Sequence, residues 1–234
     1  MDPQNSFIEI WRDRLKNVLD NLNIVFDPKN QIEIDSLLTR IPSLSPDEWI
    51  SSIFSIIQRE EDNKSIAISH EIFTRCSCQY PKNLLSSIKM HFNTTKDIVS
   101  THKLLENEFR RSIKVQKNLN DEEVDQILKR GWGVAGILYD NYIIATKIPK
   151  EFHKYFHETD PQKKRKLYCH CPIIREILQK DGQEPSKAYC YCGGGFYRGI
   201  WEEILGLPVQ IEIISSILEG NNVCQFRIIP DFTK

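Results

Sequence analysis

Residues 130–149 read RGWGVAGILYDNYIIATKIP, and the organisation of the chain turns on them. Gly131, Gly133 and Gly136 interrupt any helix there, since a glycine inside a helix costs about 1 kcal/mol relative to alanine. The runs VAGILY and YIIATKI are β-prone and flank Asp140-Asn141, which predicts a hairpin with strands over 134–139 and 142–148.

Upstream of this stretch the sequence has helical periodicity throughout. Residues 6–22, SFIEIWRDRLKNVLDNL, place Phe7, Ile8, Ile10, Trp11, Leu15, Val18, Leu19 and Leu22 at three-to-four-residue spacing. Residues 45–60, SPDEWISSIFSIIQRE, open with Ser45 as N-cap, Pro46 at the first helical position and Glu48 three residues on, a capping box. Further helices are expected near 65–75, 82–92, 96–112 and 121–130, the last capped by Asn120 with acids in its first turn.

Downstream, short helices are expected around 150–157 and 172–180. A longer one should start after Gly193-Gly194-Gly195 and end at Gly206, a suitable C′ residue. Residues 208–230 alternate apolar and polar side chains around Gly220-Asn221-Asn222, which predicts a second hairpin. The fold class is therefore α+β: a helical N-terminal half, then an antiparallel sheet of two hairpins packed against helices. The boundary falls between 1–130 and 131–234, either as two regions or as parts of one compact domain.

Composition narrows the function classes. With 234 residues, 40% hydrophobic and 27% charged, the chain has the makeup of a soluble globular protein. A net charge of −1 gives no global reason to bind nucleic acid or an acidic membrane. The one basic cluster, Lys163-Lys164-Arg165-Lys166, is expected on a solvated helix face. No stretch has the ~18 apolar residues of a membrane span, and the N-terminus lacks a basic, apolar signal pattern. The seven cysteines are odd in number, so reduced thiols in a cytoplasmic protein are expected rather than a disulfide framework.

Six of those seven cysteines fall in three Cys-x-Cys pairs, Cys76/Cys78, Cys169/Cys171 and Cys190/Cys192, and Cys224 stands on the last expected strand. Three roles fit the two later pairs. Cys169, Cys171, Cys190 and Cys192, or three of them with His170, could hold zinc. A Cys-x-Cys pair chelates only at a sharp turn, because residues i and i+2 of a strand lie ~6–7 Å apart; Pro172 and Gly193-Gly194-Gly195 could supply such turns. The same thiols could instead be small buried hydrophobes. Or one of them, Cys190 or Cys192, the latter at or just before a helix N-terminus, could be an activated nucleophile with His170 or His157 as base.

The glycines likewise have two readings: they expose N–H groups to a thiolate or anionic ligand, or they let the helix approach the sheet closely. Without a following Lys-Ser/Thr they are no phosphate loop. Tyr189, Tyr191, Phe196, Tyr197, Arg198 and Trp201 are candidates to line a pocket for an apolar or aromatic small molecule, with a core-facing stripe as the alternative. A structural role is expected for Cys76/Cys78. Their joining the same site would require the N-terminal helices to fold back on the C-terminal region.

From 190 to 230 the order is cysteine, glycines, an aromatic, a helix, Leu205-Gly206-Leu207-Pro208, a strand, then Gly220 and Cys224-Gln225-Phe226 on a closing strand. This order resembles the 4-vinyl reductase domain, a small-molecule-binding α+β module. Cys190 or Cys192 stands at that family's first cysteine, Ser216 replaces its middle cysteine, and Glu212 lies one residue off the position of its acid. With CHCP at 169–172 included, the region also resembles uncharacterised proteins related to aminothiazoline-carboxylate hydrolases. The resemblance implies a ligand pocket between helices and sheet with cysteines at its mouth, in a binding or sensing domain. The hydrolase label implies instead a small thiol- or metal-dependent enzyme, with no catalytic residue assigned. A homodimer is an option in either case.

Overall fold

The computed structural model describes residues 28–40, 66–75, 78–171, 174, 175, 178 and 187–231, with single positions among 10–59. The helices expected over 7–22 and 45–57 and the Cys76 half of its pair lie largely or wholly outside the described residues, as does most of 172–180.

Eight named helices and four strands make up the described fold. In chain order they are α1 (Pro28–Arg40), α2 (Ile66–Arg75), α3 (Ser86–Thr95), α4 (Ile98–Lys117), α5 (Asp121–Lys129), β1 (Ile137–Leu138), β2 (Ile143–Thr146), α6 (Phe152–His157), α7 (Pro161–Tyr168), α8 (Tyr191–Leu205), β3 (Val209–Ser215) and β4 (Gln225–Pro230). The strands form one antiparallel sheet in the order β1-β2-β4-β3. The two expected hairpins thus share a sheet, with β2 paired to β4 from Ile143↔Ile228 to Thr146↔Gln225. The protein is α+β, as its periodicity predicts.

Local chemistry explains most boundaries. Asn120 caps α5 in a reciprocal box: its side chain accepts from the Glu123 N–H at 2.9 Å, and its own N–H donates to the Glu123 carboxylate at 2.8 Å. Asp97 caps α4 and Asp160 caps α7, the latter ahead of Pro161 in the first turn. The basic cluster at 163–166 lies on α7, with Lys163 exposed.

The core sits where α8 crosses the sheet. Ile200, Trp201 and Ile204 are fully buried with Phe226 and Ile228 of β4 and with Ile143 and Ala145 of β2. Leu85, Ile88, Phe92 and Leu105 from the N-terminal half close the same cluster. The two halves therefore share one core rather than forming separate layers.

One expectation is corrected here. α8 begins at Tyr191 and runs through Gly193-Gly194-Gly195 instead of starting after them. A Cβ on Gly193 would lie 2.9 Å from the Phe226 ring, and one on Gly194 would lie 2.7 Å from Ile211 Cγ2. Close approach to the sheet is what the glycines provide. The packing gained offsets their poor helix propensity.

Candidate functional site

The N-terminal end of α8 borders a cavity of about 50 Å³. Its wall carries five cysteines, Cys169, Cys171, Cys190, Cys192 and Cys224, from three separate chain segments. Phe73 of α2 and Phe226 of β4 add apolar surface, and Lys147 adds a cation. All four cysteines anticipated as a metal set therefore face one space.

Tyr168 holds the segments together. Its fully buried hydroxyl donates to the Lys147 carbonyl at 2.6 Å and accepts from the Cys224 N–H at 2.9 Å. The Lys147 N–H in turn donates to the Cys224 carbonyl at 3.0 Å. One phenol thus ties the end of α7, and with it Cys169, to the end of β2 and the start of β4. Neither Tyr168 nor Lys147 stands out in the sequence as a site residue. The available signal was the tyrosine preceding each later Cys-x-Cys pair, since Tyr189 lines the same cavity.

Cys190 Sγ shares a 2.9 Å hydrogen bond with Ser216 Oγ and lies 3.9 Å from Cys224 Sγ. Ser216, fully buried, also accepts from the Leu218 N–H at 3.0 Å. Ser216 therefore sits directly against one of the cavity thiols. Backbone groups of Cys171, Ile174 and Cys78 hydrogen-bond the sulfurs of Cys169, Cys171 and Cys192 in turn. The loop after α2 does reach the C-terminal cysteines, although Cys78 itself is exposed.

The electrostatics favour protonated thiols. Burial pushes Cys192 up to about 12, raises Cys169 and raises Cys171 further. The hydrogen bond with Cys224, and then burial, lifts Cys190 in the same direction. The expected activation of Cys192 by the helix terminus is thus overridden: desolvation of a thiolate outweighs the dipole. Lys147 is half-buried as a residue, with its amine enclosed. Burial pulls its pKa down, while the nearby sulfurs of Cys169, Cys192, Cys224 and Cys171, once ionised, raise it above the ordinary value.

His170 does not join the cavity. It is exposed at the residue level, its Nε2–H donates to the Ile148 carbonyl at 2.7 Å, and the ring's enclosure and the Lys147 charge lower its pKa to about 4. His157 lines a different groove, with Trp132, Phe152 and Phe156. Among the described residues no group of three or more His, Cys, Asp or Glu is arranged to hold a metal. The one close sulfur pair given by the geometry is Cys190 and Cys224, 3.9 Å apart.

Of the anticipated ligand-binding residues Tyr189 lines this cavity, and Tyr191, Phe196, Tyr197, Arg198 and Trp201 do not. Tyr191 stacks on His70 at 3.7 Å, and Phe196 meets Tyr80 edge-on. Arg198 pairs with Glu202 at 2.8 Å and Glu71 at 3.2 Å, joining α8 to α2. Tyr197 and Trp201 are buried in the core. For Tyr197 and Trp201 the reason is the rise of the helix: at 1.5 Å per residue they lie roughly 8 and 14 Å beyond Cys192 along the axis.

A model of a family of unknown function, DUF6144, matches residues 155–234. That span holds Tyr168 and all five cavity cysteines; Phe73 and Lys147 come from outside it. No curated protein and no solved structure matches the chain. No described helix is long and apolar enough to cross a membrane.

Proposed function

We propose that the protein binds or senses a small molecule in the thiol-lined cavity at the N-terminal end of α8. The observation that carries this reading is the convergence of five thiols and one lysine, from segments far apart in sequence, on a single cavity. Mere burial of small hydrophobes would not bring an ammonium with them. A pocket between helices and sheet with cysteines on its wall is also what the 4-vinyl reductase-like order of residues 190–230 implies. At about 50 Å³ the cavity suits a ligand of few atoms better than a large aromatic one.

A second reading, zinc held by Cys169, Cys171, Cys190 and Cys192, draws support from the backbone hydrogen bonds that already meet three of their sulfurs. It requires the sulfurs to close in on one point. Stoichiometric metal in protein purified without added zinc would support it, and metal-free protein with intact fold would refute it. A thiol-dependent hydrolase has less in its favour, because among the described residues no imidazole lines the cavity and burial suppresses the thiolates.

Ligand protection of cysteines tests the main reading. A compound that raises the melting temperature should slow alkylation of Cys169, Cys171, Cys190, Cys192 and Cys224 together while leaving exposed Cys78 unaffected. Stabilising compounds that protect none of the five would place the ligand elsewhere.

A further inference from the structure

Among the described residues that line the cavity, one carries a full charge and none an opposing one. Lys147 follows β2 and lines the cavity, with its amine enclosed by protein. The remaining described lining consists of thiols, the phenols of Tyr168 and Tyr189, hydrocarbon and a glycine. Among the described residues no carboxylate forms an ion pair with Lys147; the ion-paired lysines and arginines are all others. The Tyr168 hydroxyl is engaged with backbone groups of Lys147 and Cys224. An enclosed ammonium without a counter-charge is strongly unfavourable, which is why buried charges in native proteins are paired.

We propose that this cavity takes a small monoanion, a carboxylate of only a few heavy atoms, with its negative group on the Lys147 ammonium and its hydrocarbon against Phe73, Ile174 and Phe226. The size follows from the volume, about 50 Å³, against the roughly 10–15 Å³ that one water needs on the same measure. The single charge follows from Lys147 being the one cation among the described lining residues: a dianionic phosphate is normally met by several donors or by arginine. The proposal rests on the cavity being a small-molecule site and adds the charge of what enters it.

The test uses the full chain, isothermal titration calorimetry and thermal shifts in carboxylate-free buffer. Acetate and propanoate are compared with their neutral isosteres acetamide and propanamide, and with inorganic phosphate. The acids should bind wild-type protein at least tenfold more tightly than the amides and more tightly than phosphate, and Lys147→Met should abolish that preference. The acid-to-amide comparison on wild-type protein stands even where the variant fails to fold. Amides binding as well as acids would leave the cavity a ligand site and overturn the charge assignment. Binding of neither would overturn both. Thiolate absorbance at neutral pH that vanishes in Lys147→Met, with no acid bound, would make a cysteine the counter-ion and also overturn the proposal.

Discussion

The two ends of α8 do different work in one continuous helix. The C-terminal part, with Tyr197, Ile200, Trp201 and Ile204, is packed into the shared core and leaves no room. The N-terminal part has glycines where side chains would be, lies directly on Phe226 and Ile211, and borders the thiol cavity. A packed end gives the fold its stability, whereas a stripped end lets backbone approach and leaves a space lined by what neighbouring segments supply. Aromatic richness marks the first kind of end; small residues beside cysteines mark the second.

Removing bulk from the packed end should have the largest effect. Trp201→Ala is expected to cost ~3–5 kcal/mol in denaturant unfolding, the range for truncating a fully buried aromatic. A loss below about 1 kcal/mol would mean that this end is not the structural one. At the other end, Tyr168→Phe removes the acceptor for the Cys224 N–H and the donor to the Lys147 carbonyl. A cost of ~1–3 kcal/mol is expected, with faster alkylation of the cavity cysteines. An unchanged alkylation rate would show that Tyr168 does not hold the cavity together.

The smallest effect is a pH signature that separates the ends. The fold keeps the Cys192 thiol protonated up to about 12, against an ordinary value of 9.0. Below pH 9 both states carry the proton, and this contribution is fully present. Above it the unfolded chain ionises first, so stability falls until the folded thiol also ionises. Burial also raises Tyr197, in the packed end, above its ordinary 10.0. Loss of stability should therefore start between pH 9 and 10 through the thiols and steepen above 10 as phenols join. Cys192→Ala should shrink the first part and leave the second; urea midpoints across this range measure both.

The fold class was legible because helical periodicity, the glycine-broken stretch at 130–149 and the turn at 220–222 are local signals. The glycine triplet misled about the start of α8, because its justification is contact with Phe226 and Ile211, both distant in sequence. The cysteines could be picked out as a group since clustering is visible in a string of letters. The choice of Tyr191, Phe196, Tyr197, Arg198 and Trp201 as ligand contacts followed residue type alone, and the helix carries those side chains into packing and ion pairs. Lys147 was invisible because an isolated lysine after a strand acquires meaning only when three other segments enclose it.

Five cysteines share one space beside the start of α8, while Cys78 is exposed. Time-resolved alkylation of the native protein at neutral pH, read residue by residue by mass spectrometry, tests that difference most directly. Cys78 should react at close to the rate of an unfolded control, and Cys169, Cys171, Cys190, Cys192 and Cys224 should all react far more slowly. Labelling of Cys192 or Cys190 as fast as Cys78 would contradict the shared burial of the five thiols and reopen the case for an activated thiol.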